Sequence, residues 1–185
     1  DLWNNTTSSA DSYGRILLQL TGTADSNFIL TVQSGASAPY EETVFGASLT
    51  SSSLETFGHY AFRIYNTDQM NVDFYKNGQL LESQKSTPVL NEITGALQAN
   101  IGALTSPASG SSGEYADKGW GKLSGSLDEF RFWKTKRTSE QIGRYWFDQV
   151  HGGTNTDISN TSLGVYFKFN EGITGTSSVD STVLD

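Results

Sequence analysis

Residues Leu123 to Phe147 read LSGSLDEFRFWKTKRTSEQIGRYWF, and the change of period inside this stretch decides the fold. Up to Trp133 the residues alternate as a strand does. Asp128, Phe130 and Phe132 fall on one face, and Leu127, Glu129, Arg131 and Trp133 on the other. Sharing a face with two phenylalanines, Asp128 is expected to point inward and to take its hydrogen bonds from backbone N–H groups of a neighbouring loop. A basic turn, Lys134 to Arg137, follows. From Thr138 the period becomes helical, with Ile142, Tyr145 and Trp146 on one stripe that can dock on a sheet. Thr138 and Gln141 have the spacing of a capping box, so a short helix is expected over about 138–148.

Outward from this stretch the chain is mostly strand. Ile16, Leu18 and Leu20 alternate with Arg15, Leu17 and Gln19, and Phe28, Leu30 and Val32 repeat the pattern after a polar break, which predicts an antiparallel hairpin. A strand is expected around Thr43 to Ser48. Tyr60, Phe62 and Ile64 share one face of the next, Val72 and Phe74 that of its neighbour, and Asn77-Gly78 supplies the positive φ angles of a tight turn. Ala96 to Leu104 reads as a further strand, and Leu163, Val165, Phe167 and Phe169 alternate in a last one. Such strands without βαβ alternation predict an all-β, antiparallel two-sheet sandwich with one short helix near the C-terminus.

Four pieces of this pattern carry a family resemblance. Gly125, Leu127 to Trp133 and Ser139 to Ile142 resemble the closing phrase G-x-I-D-E-V-R-I-Y/W…S/T-x-E-E/Q-I of laminin G-like modules in the concanavalin A-like lectin/glucanase superfamily. His59 to Asn66 is similar to that family's W-H-H-V-A-V-T-Y-D strand, Val72 to Leu80 to its L-Y-V-N-G-x-L hairpin, and Ile101-Gly102 to its I-G element. The resemblance covers roughly 58–147 and implies a jelly roll of two curved sheets. Leu163 to Gly172 resembles the opening phrase of such modules. It therefore reads either as a strand closing the sheet before it or as the start of a following module. Many eukaryotic relatives carry a disulfide near the end, so the lack of cysteine implies a bacterial or phage-type module. The expected organisation is one domain over 1–185, with 1–13 as an entering arm or loop and 163–185 as the closing strand or next module. The chain reads as a piece of a longer polypeptide.

Composition narrows the partners. A formal net charge of −8 opposes nucleic-acid binding, and the one basic cluster, Lys134, Lys136 and Arg137, reads as a solvated turn. No apolar run reaches the ~20 residues of a membrane span. With no cysteine, thiolate metal sites and disulfides are excluded.

Glucanases of the superfamily place acidic residues at alternate positions of one strand, where their carboxylates share a face. None of the 20 acidic residues here has another two positions away, so the chain reads as a non-enzyme. His59 and His151 read as structural or exposed. The resemblance implies a calcium ion at the sandwich rim, held by hard oxygen ligands. Asp25 with Asn27, Asp73 and Asp117 are the candidates, and Asp117 is preferred because its loop, Thr105 to Lys122, is long. In the same loop Tyr115 and Trp120 flank Asp117, and aromatic rings beside a carboxylate suit a sugar. The competing reading, which comes first, is that Trp120 pins the loop to the sandwich. Tyr40, Glu41 and Glu42 form a second such patch. Asn4, Asn5 and Asn160 stand in N-x-S/T triplets that chance explains in a chain so rich in Ser and Thr.

Three functions fit. A recognition module would bind a glycan or glycosylated partner through rim loops in a larger extracellular or cell-surface protein. A structural or adhesion domain of a virion or surface layer would make protein–protein contacts instead. A glycoside hydrolase would require acids converging from separate strands.

Overall fold

The structure, a computed structural model, describes residues 1–4, 10–20, 28–35, 41–86, 95–103, 123, 125–150 and 162–169, without the side chains of Glu41, Glu42 and Ser51. The chain divides into two compact units, Asp1–Ser124 and Gly125–Asp185.

In the first unit, β1 (Leu2–Trp3), β2 (Gly14–Leu20), β3 (Phe28–Ser34), β4 (Glu41–Phe45) and β8 (Gln98–Ala99) form a sheet of order β4-β3-β2-β1-β8. Facing it is a sheet of β5 (Tyr60–Asn66), β6 (Met70–Lys76) and β7 (Gln79–Ser86) in that order. Every pairing is antiparallel. A one-turn helix α1 (Ser51–Leu54) lies between β4 and β5.

The core between the sheets comes from the alternation. Phe28, Leu30 and Val32 of β3, Phe45 of β4 and Met70, Val72 and Phe74 of β6 are buried together, with Tyr60, Phe62 and Ile64 of β5 packed against them. Four aromatic rings meet Phe74, the nearest being Phe62 at 4.7 Å between centroids. On β2 the pairing of Leu18 with Leu30 and Leu20 with Phe28 sets both leucines on the core side, yet each is 42% exposed.

Turns fall where the backbone demands them. Asn77 and Gly78 have φ of 49° and 76°, and Lys76 pairs with Gln79 across them. The strand expected at Thr43 to Ser48 begins earlier and ends at Phe45, just before Gly46, whose φ is +80° and where a Cβ would stand 3.0 Å from Leu49 Cδ1. Ala96 to Leu104 was expected to be a strand, but among the described residues of that span only Gln98–Ala99 pairs, between Gly95 and Gly102 with φ of 98° and 80°. Side chains of β7 reach β4: Glu82 Oε1 accepts from Gly46 N–H at 2.8 Å, and Gln84 Nε2 donates to the Val44 carbonyl at 2.8 Å.

In the second unit β9 (Phe130–Trp133) pairs antiparallel with β10 (Leu163–Phe167). A bulge sits at Gly164, where a Cβ would come 2.9 Å from Phe132 Cδ1 and 3.2 Å from the Phe132 carbonyl. Helix α2 (Ser139–Tyr145) opens on the expected capping box: Gln141 N–H donates to Thr138 Oγ1 at 3.1 Å, and Thr138 N–H to Gln141 Oε1 at 3.0 Å. The expected docking stripe is not buried. Tyr145 is half exposed, and no residue of α2 is fully buried.

Candidate functional site

Cross-strand register builds a polar cluster on the face of the three-stranded sheet opposite the core. Arg63 pairs with Asp73, and Asp73 with Ser83, so the three side chains stand in a row. Asp73 Oδ2 accepts from Arg63 Nε at 2.8 Å and from Nη2, while Oδ1 accepts from Ser83 Oγ at 2.5 Å. The guanidinium lies over the rings of Tyr65 and Tyr75 at 5.1 and 5.7 Å. Burial alone would lower the Arg63 pKa, but the Asp73 hydrogen bond and the neighbouring charges outweigh it and raise the value. Asp73 was a calcium candidate, and both its oxygens are committed here to Arg63 and Ser83. A cation would have to displace the guanidinium.

Two further arginines are held in the same manner. Arg15 donates to both Asp1 carboxylate oxygens, at 3.1 and 2.8 Å, and stands over Trp3. Arg131 Nη2 donates to Glu129 Oε2 at 3.0 Å, and its guanidinium also reaches the carbonyls of Tyr145 and Asp148, tying the end of α2 to β9.

The Glu129 backbone corrects an expectation from sequence. Its φ of +53° breaks the alternation before β9 begins, so Asp128 does not share a face with Phe130. Asp128 is exposed, not inward, and accepts at 3.0 Å from the adjacent Glu129 N–H. Glu129 is the partly buried acid, bonded to Arg131 and to the Tyr166 hydroxyl.

Burial, then the hydrogen bond to Glu129, raises the Tyr166 pKa, and burial raises that of Tyr60. An unfolded tyrosine titrates near pH 10. A higher folded value favours the neutral phenol, so its stabilisation is complete below about pH 10 and is lost as pH climbs through the folded value. Urea midpoints should therefore be flat from neutral pH to about 9 and fall above 10, and Tyr166→Phe and Tyr60→Phe should each lessen that fall. A decline unchanged in both variants would refute the assignment.

At the end of β9 the Arg137 guanidinium stacks 4.2 Å from the centroid of the Trp133 ring. Burial lowers the Arg137 pKa; Tyr145 opposes the shift and Arg131 adds to it.

Of the residues singled out in the sequence, Asn5, Asp25, Asn27, Tyr40, Tyr115, Asp117, Trp120, His151 and Asn160 lie outside the described residues. Glu41 and Glu42 are placed on β4 by backbone only. His59 heads β5, where its N–H donates to Asn77 Oδ1 at 2.9 Å and locks the tight turn. Asn4 is buried, donating to the Ser12 carbonyl and accepting from Gly14 N–H, so its amide is not placed to carry a glycan. Among the described residues no group of three or more His, Cys, Asp or Glu is arranged to hold a metal ion. Among them, too, no helix is long and apolar enough to cross a membrane.

No curated protein and no solved structure matches the sequence. A family model does match, over residues 1–143, and that span takes in both sheets of the first unit, β9 and most of α2. With this match and its two antiparallel sheets, the chain belongs to the laminin G-like family of the concanavalin A-like lectin/glucanases superfamily.

Proposed function

We propose that the chain is a recognition module that binds a glycan or glycosylated surface without cleaving it, as part of a larger extracellular protein. The observation that carries this reading is superfamily membership in a chain with no two acidic residues at alternate positions, the arrangement its glucanases use. Four described carboxylates, on Asp1, Asp73, Glu129 and Glu140, are also paired with arginines. The loop holding Tyr115, Asp117 and Trp120 is the proposed contact, with rings for sugar C–H faces and a carboxylate for hydroxyls or for a calcium ion. A glycan array probed with and without calcium tests it. Binding should be seen and should be abolished in Trp120→Ala with folding intact, whereas silence in both conditions would defeat the proposal. A dependence on calcium that Asp117→Asn removes would assign the ion to that loop.

One observation favours a second reading, a virion or surface-layer domain making protein–protein contacts. Phe57 and Phe147 are 78% and 67% exposed, as aromatic anchors of an interface are before assembly. Regular particles formed by the parent protein, together with a silent array, would select it.

A further inference from the structure

Asn77 is the only asparagine in the sequence that a glycine follows, and it is exposed at the tip of the β6–β7 hairpin. Such a pair can react with itself. The backbone nitrogen of the following residue attacks the asparagine side-chain carbonyl carbon, and glycine, with no Cβ, shields that nitrogen least. The new N–C bond closes a succinimide ring. The bond to the side-chain nitrogen breaks, and ammonia leaves with the proton from the glycine amide. Water then opens the ring at either carbonyl and gives aspartate or isoaspartate. The fold restrains this chemistry at Asn77. Its Oδ1 accepts from His59 N–H at 2.9 Å, and its own N–H donates to the His59 carbonyl at 2.8 Å. Cyclisation needs the side-chain carbonyl carbon at the Gly78 nitrogen, inside the turn, while its oxygen is bound to the residue that heads β5. The ring would also contain the Asn77–Gly78 peptide bond, so closing it twists a turn already set by φ of 49° and 76°.

We propose that Asn77 is a site of spontaneous deamidation that the His59 bond holds in check, so that modification follows opening of the hairpin tip. Aspartate at this position keeps an acceptor for His59 N–H and tolerates the left-handed φ. Isoaspartate instead routes the main chain through the side-chain carbon. The turn becomes longer, and the pairing of Lys76 with Gln79 across it is lost. Modification is thus a record of opening, made where β6, the central strand of its sheet, turns into β7. The proposal does not depend on what the module binds.

Peptide mapping of the whole chain, aged at mildly alkaline pH either folded or unfolded in urea, tests it. In urea Asn77 should convert faster than any other asparagine. In the folded chain it should convert about tenfold more slowly or less, the factor that one hydrogen bond's net worth sets. Below the unfolding midpoint, conversion should rise with urea in step with hydrogen exchange of the His59 amide, because both require the same bond to break. His59→Pro, which deletes the donor, should speed conversion in a chain whose circular dichroism stays native; if that variant unfolds, the exchange comparison decides. Equal rates in the folded and unfolded chain would overturn the proposal. So would conversion that ignores His59 exchange, an unchanged rate in folded His59→Pro, or another asparagine converting first in urea.

Discussion

Phe74→Ala should cost about 3–5 kcal/mol, the range for deleting a large aromatic side chain from a packed core. Phe74 is fully buried, and its ring is met by Phe28 at 5.4 Å, Phe45 at 6.2 Å, Tyr60 at 6.3 Å and Phe62 at 4.7 Å. These rings come from three different strands, β3 and β4 of one sheet and β5 of the other, so no single neighbour can move in to fill the space. Domains are typically stable by about 5–15 kcal/mol, so the loss is a large fraction of the total. Urea titration of the purified variant gives the number. A loss below about 1 kcal/mol, the size of an ordinary surface change, would show that the two sheets do not meet at this residue.

Asp73→Ala should cost about 3 kcal/mol, because it strands a guanidinium rather than removing a contact. The side chains of Arg63 and Asp73 are only 16% and 6% exposed, and Ser83 loses its acceptor at the same time. Removing both charges, as in Arg63→Met with Asp73→Ala, should recover much of the loss. A double-mutant cycle measures the coupling directly. A cost below about 1 kcal/mol for Asp73→Ala would place the pair among solvent-screened surface bridges.

The sheets were legible because alternation and turn chemistry agree. Phe28, Leu30 and Val32 announce the buried face of β3, and Asn77-Gly78 fixes one hairpin. Thr138 and Gln141 announced the cap of α2. What sequence reading missed was cross-strand chemistry. Arg63 and Asp73 lie at equal distances from the turn at 67–69, and only that register reveals them as partners. Asp128 was misplaced because nothing in its residue type betrays the positive φ of Glu129, which the bonds to Arg131 and Tyr166 help to hold. The short β8 was overextended because Ile101 and Leu104 look like strand residues. The left-handed Gly102 between them turns the chain away.

The bonds from Glu82 and Gln84 to the backbone of β4 have a consequence for solution behaviour. An outermost strand with bare N–H and C=O groups is a template onto which another extended chain can add, and such addition can propagate into fibrils. Here two of those groups, Gly46 N–H and the Val44 carbonyl, are occupied by side chains of the same molecule. At this border, growth by strand addition would first have to break intramolecular bonds.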